Sequence, residues 1–470
     1  MKLSRLTIPY TGLKNLSYIF FVLIFSGSFS LREPNIGSLT IISVTVGALM
    51  ALSFLWSYLT WKNYSYWIDE DTLRIKQGVL RKQNRRIPKK RIQNVDIKRN
   101  IVQRALGISQ VKLETAGGGE TEATLSYLEF EDAQRLRRQL RQREKQEGSI
   151  ENENDEPIYK ISDKELALLS LTSIDLRQAL GIIVLFGIVP SFFGGYLEEA
   201  EISLMVGTSI ILVTLTILTF FSSIVSTFLQ YWGFKLYKKE NSLEYERGLL
   251  NRSEGSIPLN KIQRVTMEEN VLKRMIGYSS LKIDTAGYSP GESMEKGSEA
   301  AIPMAKKQKS MNLANDIAGI KKIELESIGE SAKLRYTARY LIVSTLIIAA
   351  LFQTDTGVKL EIISGLSLAG VSVIAARLKW SNKGFAAGKN HCVTLNGFWN
   401  RSTNFIPYFR VQNLIETQSI LQKRLELASV DIDTAGTGNL LNKTVAVDLE
   451  KKQAEKFREE VFQKFKQSLK

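Results

Sequence analysis

Gly78-Val79-Leu80, then Ile87-Pro88, Ile92-Gln93 and Glu114-Thr115-Ala116-Gly117, form a pattern that the chain writes three times. It returns as Gly248-Leu249-Leu250, Ile257-Pro258, Ile262-Gln263 and Asp284-Thr285-Ala286-Gly287. The third copy reads Gly397-Phe398-Trp399, Ile406-Pro407, Val411-Gln412 and Asp433-Thr434-Ala435-Gly436. Glycine to proline is 10 residues, and proline to the last glycine 29, in every copy. Constant internal spacing marks one supersecondary design used repeatedly. The copies begin 170 and 149 residues apart, too far for a solenoid of small repeats, so each unit is a domain.

Outward from each copy the chemistry changes abruptly. An apolar pair of runs precedes every repeat: 16–31 and 36–59, 179–197 and 202–229, 338–352 and 358–376. Short connectors such as Glu198-Glu199-Ala200-Glu201 separate the members of a pair. A run of 24 residues such as 36–59 is long enough to cross the roughly 30 Å hydrocarbon core as a helix. The first run of the chain competes with a cleaved leader, but it lacks a small-x-small site and a longer apolar segment follows at once. Six spans in three hairpins are therefore expected. The third pair carries Lys359 and Glu361 and has a second reading, a helical hairpin packed against protein. Lys and Arg crowd the repeats and both chain ends, which places the three domains and both termini in the cytoplasm.

Within a repeat the pattern predicts short strands. Tyr66-Trp67-Ile68 and Leu73-Arg74-Ile75 flank an acidic turn, and strand character resumes after Gly78 until Pro88. Asn100 to Gly107 reads as a helical turn stopped by glycine, with a further strand after it. Polar helical stretches close the copies at 131–145, 306–322 and 450–470. In the last, Ala454, Phe457, Val461, Phe462 and Phe465 form one apolar stripe, read as a packing face. The expected fold class is α+β: three transmembrane hairpins, each followed by a small bent sheet or barrel capped by a helix. The expected boundaries are hairpin 1–61, domain 62–147, linker 148–178, hairpin 179–230, domain 231–325, linker 326–337, hairpin 338–379 and domain 380–470.

These residues resemble the bacterial pleckstrin-homology (PH) domain family of the second type. The motif positions carry the resemblance: Gly78, Pro88, Gln93 and Gly117; Gly248, Pro258, Gln263 and Gly287; Gly397, Pro407, Gln412 and Gly436. It implies a seven-stranded bent sheet plugged by a carboxy-terminal helix, and it covers nearly the whole chain. The third copy departs from the pattern, with Glu426 where Gly107 and Gly277 end their helical turns. The motifs mark fold, and fold alone does not name an activity.

For function the charge is informative. The chain has 470 residues and a formal charge of +15, which calls for an anionic partner. Residues 81–104 hold ten Lys or Arg and one acid, against five bases and three acids in 252–274. Arg85, Arg86, Lys89, Lys90, Arg91, Lys98 and Arg99 are the candidate contacts to anionic lipid headgroups. The other reading of the same run is a topology signal that only solvates the domain. The run contains no aromatic residue to stack on bases, which argues against nucleic acid. One histidine, His391, and one cysteine, Cys392, supply neither a zinc site nor a disulfide framework. As strand neighbours they are expected to diverge, one packed and one solvated. No acid–base or nucleophile set recurs, and no cofactor or small-molecule substrate is expected. The remaining alternatives are a scaffold that binds lipid, protein or itself through its domains, and a six-span transporter or channel component. The absence of Asp, Glu, Lys and Arg from 16–31, 36–59, 179–197 and 202–229 favours anchors over a transport path.

Overall fold

Thr72-Leu-Arg-Ile-Lys-Gln77 alternates with period two, and it forms a strand with Leu73 and Ile75 buried and Lys76 exposed. A computed structural model of the protein describes residues 2–14, 36–69, 71–115, 123–141, 156–174, 199–285, 299–321, 323–351, 358–435 and 444–468. The apolar runs 16–31 and 179–197, and the motif glycines Gly117, Gly287 and Gly436, lie outside these residues. The chain divides into two units, 1–155 with 250–256, and 156–249 with 257–470.

In the first unit, helical residues 7–14 and helix α1 (Ile36–Lys62) lead into β1 (Ser65–Asp69), β2 (Thr72–Gln77) and β3 (Gln83–Pro88), an antiparallel sheet. The segment 79–82, expected to be strand, is a turn. Gly78 has φ 110°, and a side chain there would collide with the Arg81 carbonyl oxygen. There follow β4 (Ile92–Arg99), the helical turn α2 (Ile101–Ala105), β5 (Ile108–Thr115), β6 (Ala123–Glu129) and helix α3 (Phe130–Arg141). β4, β5 and β6 pair in order. On its other edge β4 takes residues 252–254, with Arg99 opposite Arg252, Lys98 opposite Ser253 and Ile97 opposite Glu254. Ala133, Leu136 and Leu140 of α3 fall on one helical face and close a core with Leu73, Ile97, Val111, Leu113 and Leu125.

The second unit repeats this plan twice. Its first copy runs β7 (Tyr159–Lys160), α4 (Asp163–Leu171), α5 (Glu199–Tyr231), β8 (Lys235–Lys238), β9 (Ser242–Arg247) and β10 (Arg252–Pro258), whose residues 252–256 belong to the first unit. It continues with β11 (Ile262–Asn270), α6 (Val271–Met275), β12 (Tyr278–Thr285), β13 (Glu299–Lys306) and α7 (Lys307–Ala318). The next copy is β14 (Glu326–Ser327), α8 (Ser331–Leu351), α9 (Val358–Ser381), β15 (Gly384–Ala387), β16 (His391–Asn396), β17 (Asn400–Pro407), β18 (Val411–Thr417), α10 (Ile420–Arg424), β19 (Leu427–Thr434), β20 (Thr444–Glu450) and α11 (Lys451–Ser468). One sheet has the order β13-β12-β11-β17-β16-β15-β14, and β18-β19-β20 form another. The stripe of α11 is buried at Ala454, Phe457 and Val461, while Phe462 turns outward.

Two sequence expectations change. The stretches read as linkers contain β7 and β14, which pair with β8 and β15, so a copy begins before its apolar helices. The helices are inserted after the first strand. Among the described residues, two helical segments are long and apolar enough to cross a membrane, Val44–Lys62 and Val213–Tyr231. The third pair, expected as a transmembrane hairpin, does not reach that standard. Charges such as Arg339, Lys359, Glu361 and Arg377 enter α8 and α9, which meet through a 2.5 Å contact between the Ser344 and Ser372 hydroxyls.

The segment before the insertion in the first two copies, and the start of α8 in the third, grip one irregular point of the last strand. Tyr127 and Asp448 occupy that point with φ 68° and 62°, beside register shifts against β5 and β19. Ser4 N–H donates to the Tyr127 carbonyl at 3.1 Å, and the Tyr159 hydroxyl to that of Met304. In the third copy the Asp448 carboxylate, fully buried, accepts from Tyr336, Arg335 and Gln422. Trp61 and Trp380 tie the helix exits back to the same segments, donating to Leu3 O at 2.9 Å and Gly329 O at 3.1 Å.

Asp448→Ala leaves the Arg335 guanidinium without its buried partner and should cost about 3–5 kcal/mol, read as a lower thermal midpoint of the detergent-solubilised protein. Glu426 holds φ 53° at the helix stop where Gly107 and Gly277 sit at 67° and 73°. Glu426→Gly should therefore stabilise by about 1 kcal/mol. Gly397→Ala, at φ 95° and facing the Asn400 carbonyl, should destabilise by about 1–3 kcal/mol in the same assay.

Candidate functional site

The motif residues build turns and bends. Gly78, Gly248 and Gly397 open the turn between the second and third strands of the bent sheet, all with φ near 100°. Pro88, Pro258 and Pro407 end the next strand, and the following N–H groups return to Asp71, Asn241 and Asn390 carbonyls at 2.7, 2.9 and 3.3 Å. Gln93, Gln263 and Gln412 coincide with a register shift in β4, β11 and β18, so the conserved spacing marks a bulge in each copy. The acid before Thr-Ala-Gly lies across the strand pair from the residue after that bulge. Asn94 faces Glu114, Arg264 faces Asp284 and Asn413 faces Asp433. Arg264 Nε donates to the Asp284 carboxylate at 2.5 Å.

The glycine turn has an apolar tip: Val79-Leu80, Leu249-Leu250 and Phe398-Trp399. In the second copy it is tied to the end of the apolar helix α5. Gly248 N–H donates to Trp232 O and Leu249 N–H to Leu229 O, each at 2.9 Å. In the third copy Arg274 bridges the turn to the residue after α9, donating to Phe398 O at 2.6 Å and Asn382 Oδ1 at 3.0 Å. The tip thus sits at the exit of the apolar helices. Leu80 is 87% exposed, and Arg81 and Lys82 next to it are exposed as well.

The basic residues of the first copy separate into two groups. Arg85, Arg86, Lys90 and Arg91 are exposed and Lys89 is half-buried, on β3 and the turn after it. Lys98 and Arg99 lie instead within the sheet. Arg99 stacks 3.4 Å above the Phe130 ring and approaches Glu254 at 3.5 Å, a carboxylate that Arg137 and Arg252 also approach at 3.8 and 3.3 Å. A basic count cannot see this division, because it depends on which strand covers β4.

His391 and Cys392 do diverge, yet both are buried. Cys392 enters the core of the third copy, while the adjacent Val393 on His391's side joins the core of the second. The face expected to be solvated is covered by the neighbouring copy. Burial pushes the Cys392 thiol up to about 12. Among the described residues no group of His, Cys, Asp and Glu could hold a metal.

A family model described as Bacterial PH domain matches residues 18–144, 183–321 and 338–465. The chain belongs to the bacterial PH domain family. It is also 25% identical over 432 residues to UPF0699 transmembrane protein YdbT of Bacillus subtilis (strain 168), covering 84% of this chain and 85% of that protein. No solved structure matches it. The family membership accounts for the threefold motif, and the relative is described as a transmembrane protein, in keeping with the two apolar helices.

A neutral, enclosed thiol does not react. Native protein should resist maleimide labelling at Cys392 at pH 8, and label fully once denaturant opens the core. Fast native labelling would show that β16 is not covered on its Cys392 face.

Proposed function

We propose that this protein is a multi-pass scaffold of a bacterial plasma membrane, with three PH-like domains held in the cytoplasm against the headgroups. Both termini lie on the same side as the domains, since each of the first two apolar pairs returns the chain to where it started. The domains bind rather than catalyse. The first copy reads anionic lipid through Arg81, Lys82, Arg85, Arg86, Lys89, Lys90 and Arg91, leaving Lys98 and Arg99 to the sheet.

One observation carries this reading. The apolar-tipped turn of the second copy is hydrogen bonded to the end of α5, at Leu229 and at Trp232 just after it. A domain anchored in that way presents its turn, and the strand end beside it, to the interface where apolar helix meets water. In the first copy the same turn has a bare Leu80 followed by Arg81 and Lys82. An apolar wedge flanked by cations suits an anionic interface, where each Lys or Arg contributes on the order of 1 kcal/mol.

The test uses the full-length chain in lipid nanodiscs, with a polarity-sensitive fluorophore on Leu80→Cys and the buried Cys392 left in place. Emission should shift to the blue when phosphatidylglycerol is added to phosphatidylcholine discs. The shift should vanish near ~1 M salt, where the Debye length is roughly 3 Å. It should also vanish when Arg81, Lys82, Lys90 and Arg91 are all changed to Gln. Identical emission in neutral and anionic discs would sink the lipid reading and leave the basic run as a topology signal.

A further inference from the structure

The third strand of one copy completes the fourth strand of the copy before it, twice, in one register. Within the first unit, residues 252–254 lie along β4, and within the second, β17 lies along β11. Counted from the motif residues, the pairing is the same in both places. The residue six after the bulge Gln (Arg99, Glu269) faces the residue four after the turn Gly (Arg252, Arg401). An Arg–Glu ion pair spans each seam, Arg99 to Glu254 at 3.5 Å and Arg401 to Glu269 at 3.9 Å. Two independent occurrences of one register show a built interface.

Among the described residues, β18 is a fourth strand at the edge of its sheet and β3 a third strand at the edge of its own. Burial shows what the edges lack. Ile262 to Met267 of β11 is buried throughout, whereas Gln412, Asn413, Ile415 and Thr417 of β18 are exposed. Ile415 is 48% exposed where its counterpart Thr266 is 7%. Gly255, Ser256, Asn404 and Phe405 are buried at the positions where β3 exposes Arg85 and Arg86. Strand edges with open backbone groups are templates for another chain.

We propose that β18 of one chain pairs antiparallel with β3 of a second copy of this chain, so that the protein assembles head to tail in the membrane. The repeated register sets the pairs: Leu414 with Arg86, Ile415 with Arg85, Glu416 with Asn84, Thr417 with Gln83 and Gln418 with Lys82. Charge agrees. β3 carries Arg85 and Arg86 and no acid, while β18 and its neighbour β19 carry Glu416, Asp431 and Asp433 and no base. The contact is heterologous, so each chain offers one end of each kind and the assembly closes into a ring or continues as a row. Pairing uses the backbone edge of β3, and the proposal stands whether or not the first copy also reads lipid.

Two full-length variants, Thr417→Cys and Gln83→Cys, carrying different tags, are co-expressed and oxidised in intact membranes. Both positions are exposed, so neither change threatens folding. A disulfide joining the two tags is expected, and its absence overturns the proposal. Pairing Thr417→Cys with Lys76→Cys, which lies on β2 away from the edge, should give little product. Equal product from that control would mean random collision and would also overturn it. Adding Ile415→Lys and Glu416→Arg, which sets cations against Arg85, should lower the yield about tenfold, as a seam weakened by ~1.4 kcal/mol would. Disulfides from Thr417→Cys only to a different membrane protein would assign the edge to that partner and refute self-assembly.

Discussion

Backbone hydrogen bonding at strand edges is the constraint on which this architecture rests. Each copy bends into two half-sheets, and the bend leaves the outer side of the fourth strand without a partner inside its own copy. A buried strand cannot leave its N–H and C=O groups unmet. Residues 252–254 meet them for β4, and β17 meets them for β11. The cores follow the strands. Ala386, Val393 and Phe405 of the last copy pack with Val265, Leu281 and Ile283 of the one before it. Within the second unit the copies are therefore not beads on a string, and a cut drawn at 326–337 would sever a sheet.

The second constraint is that the apolar helices interrupt a domain. Because β7 and β14 lie before the helices and pair with β8 and β15 after them, the chain must leave and return at one place on the sheet. Trp61 and Trp380 fasten that place, and Ser4, Tyr159 and Tyr336 bind the irregular point of the last strand above it. A helix that enters and exits through the domain's own first strand fixes how the domain faces the membrane more firmly than a flexible tether could. The proposed interfacial role of the glycine turn relies on that rigidity.

Repetition of fold with divergence of surface then becomes intelligible. The three copies share the glycine turn, the proline strand end and the glutamine bulge, since each is demanded by backbone geometry. They differ where neighbours differ. Position for position, Arg85 and Arg86 stand in the open where Gly255 and Ser256, or Asn404 and Phe405, are enclosed. Charge collects on the copy whose third strand lies, among the described residues, at the edge of its sheet. Water is a tolerable neighbour for guanidinium there and would not be inside a sheet.

What the sequence by itself determined is everything carried by local period and backbone sterics. The threefold spacing, the proline stops, the short helical turns and the stripe Ala454, Phe457 and Val461 were all legible, because each depends on residues a few positions apart. The tertiary structure alone decided which strands adjoin. Nothing near Tyr159 or Glu326 announces a two-residue strand, since its partner lies on the far side of a long helical insertion. Nothing near His391 says that its outward face is covered, nor near Arg99 that Glu254 and Phe130 hold it. Asp284 and Asp433 likewise find partners on the adjacent strand. Such facts are set by contacts between residues far apart in the chain, where free energy depends on the partner and a local pattern carries no record of it.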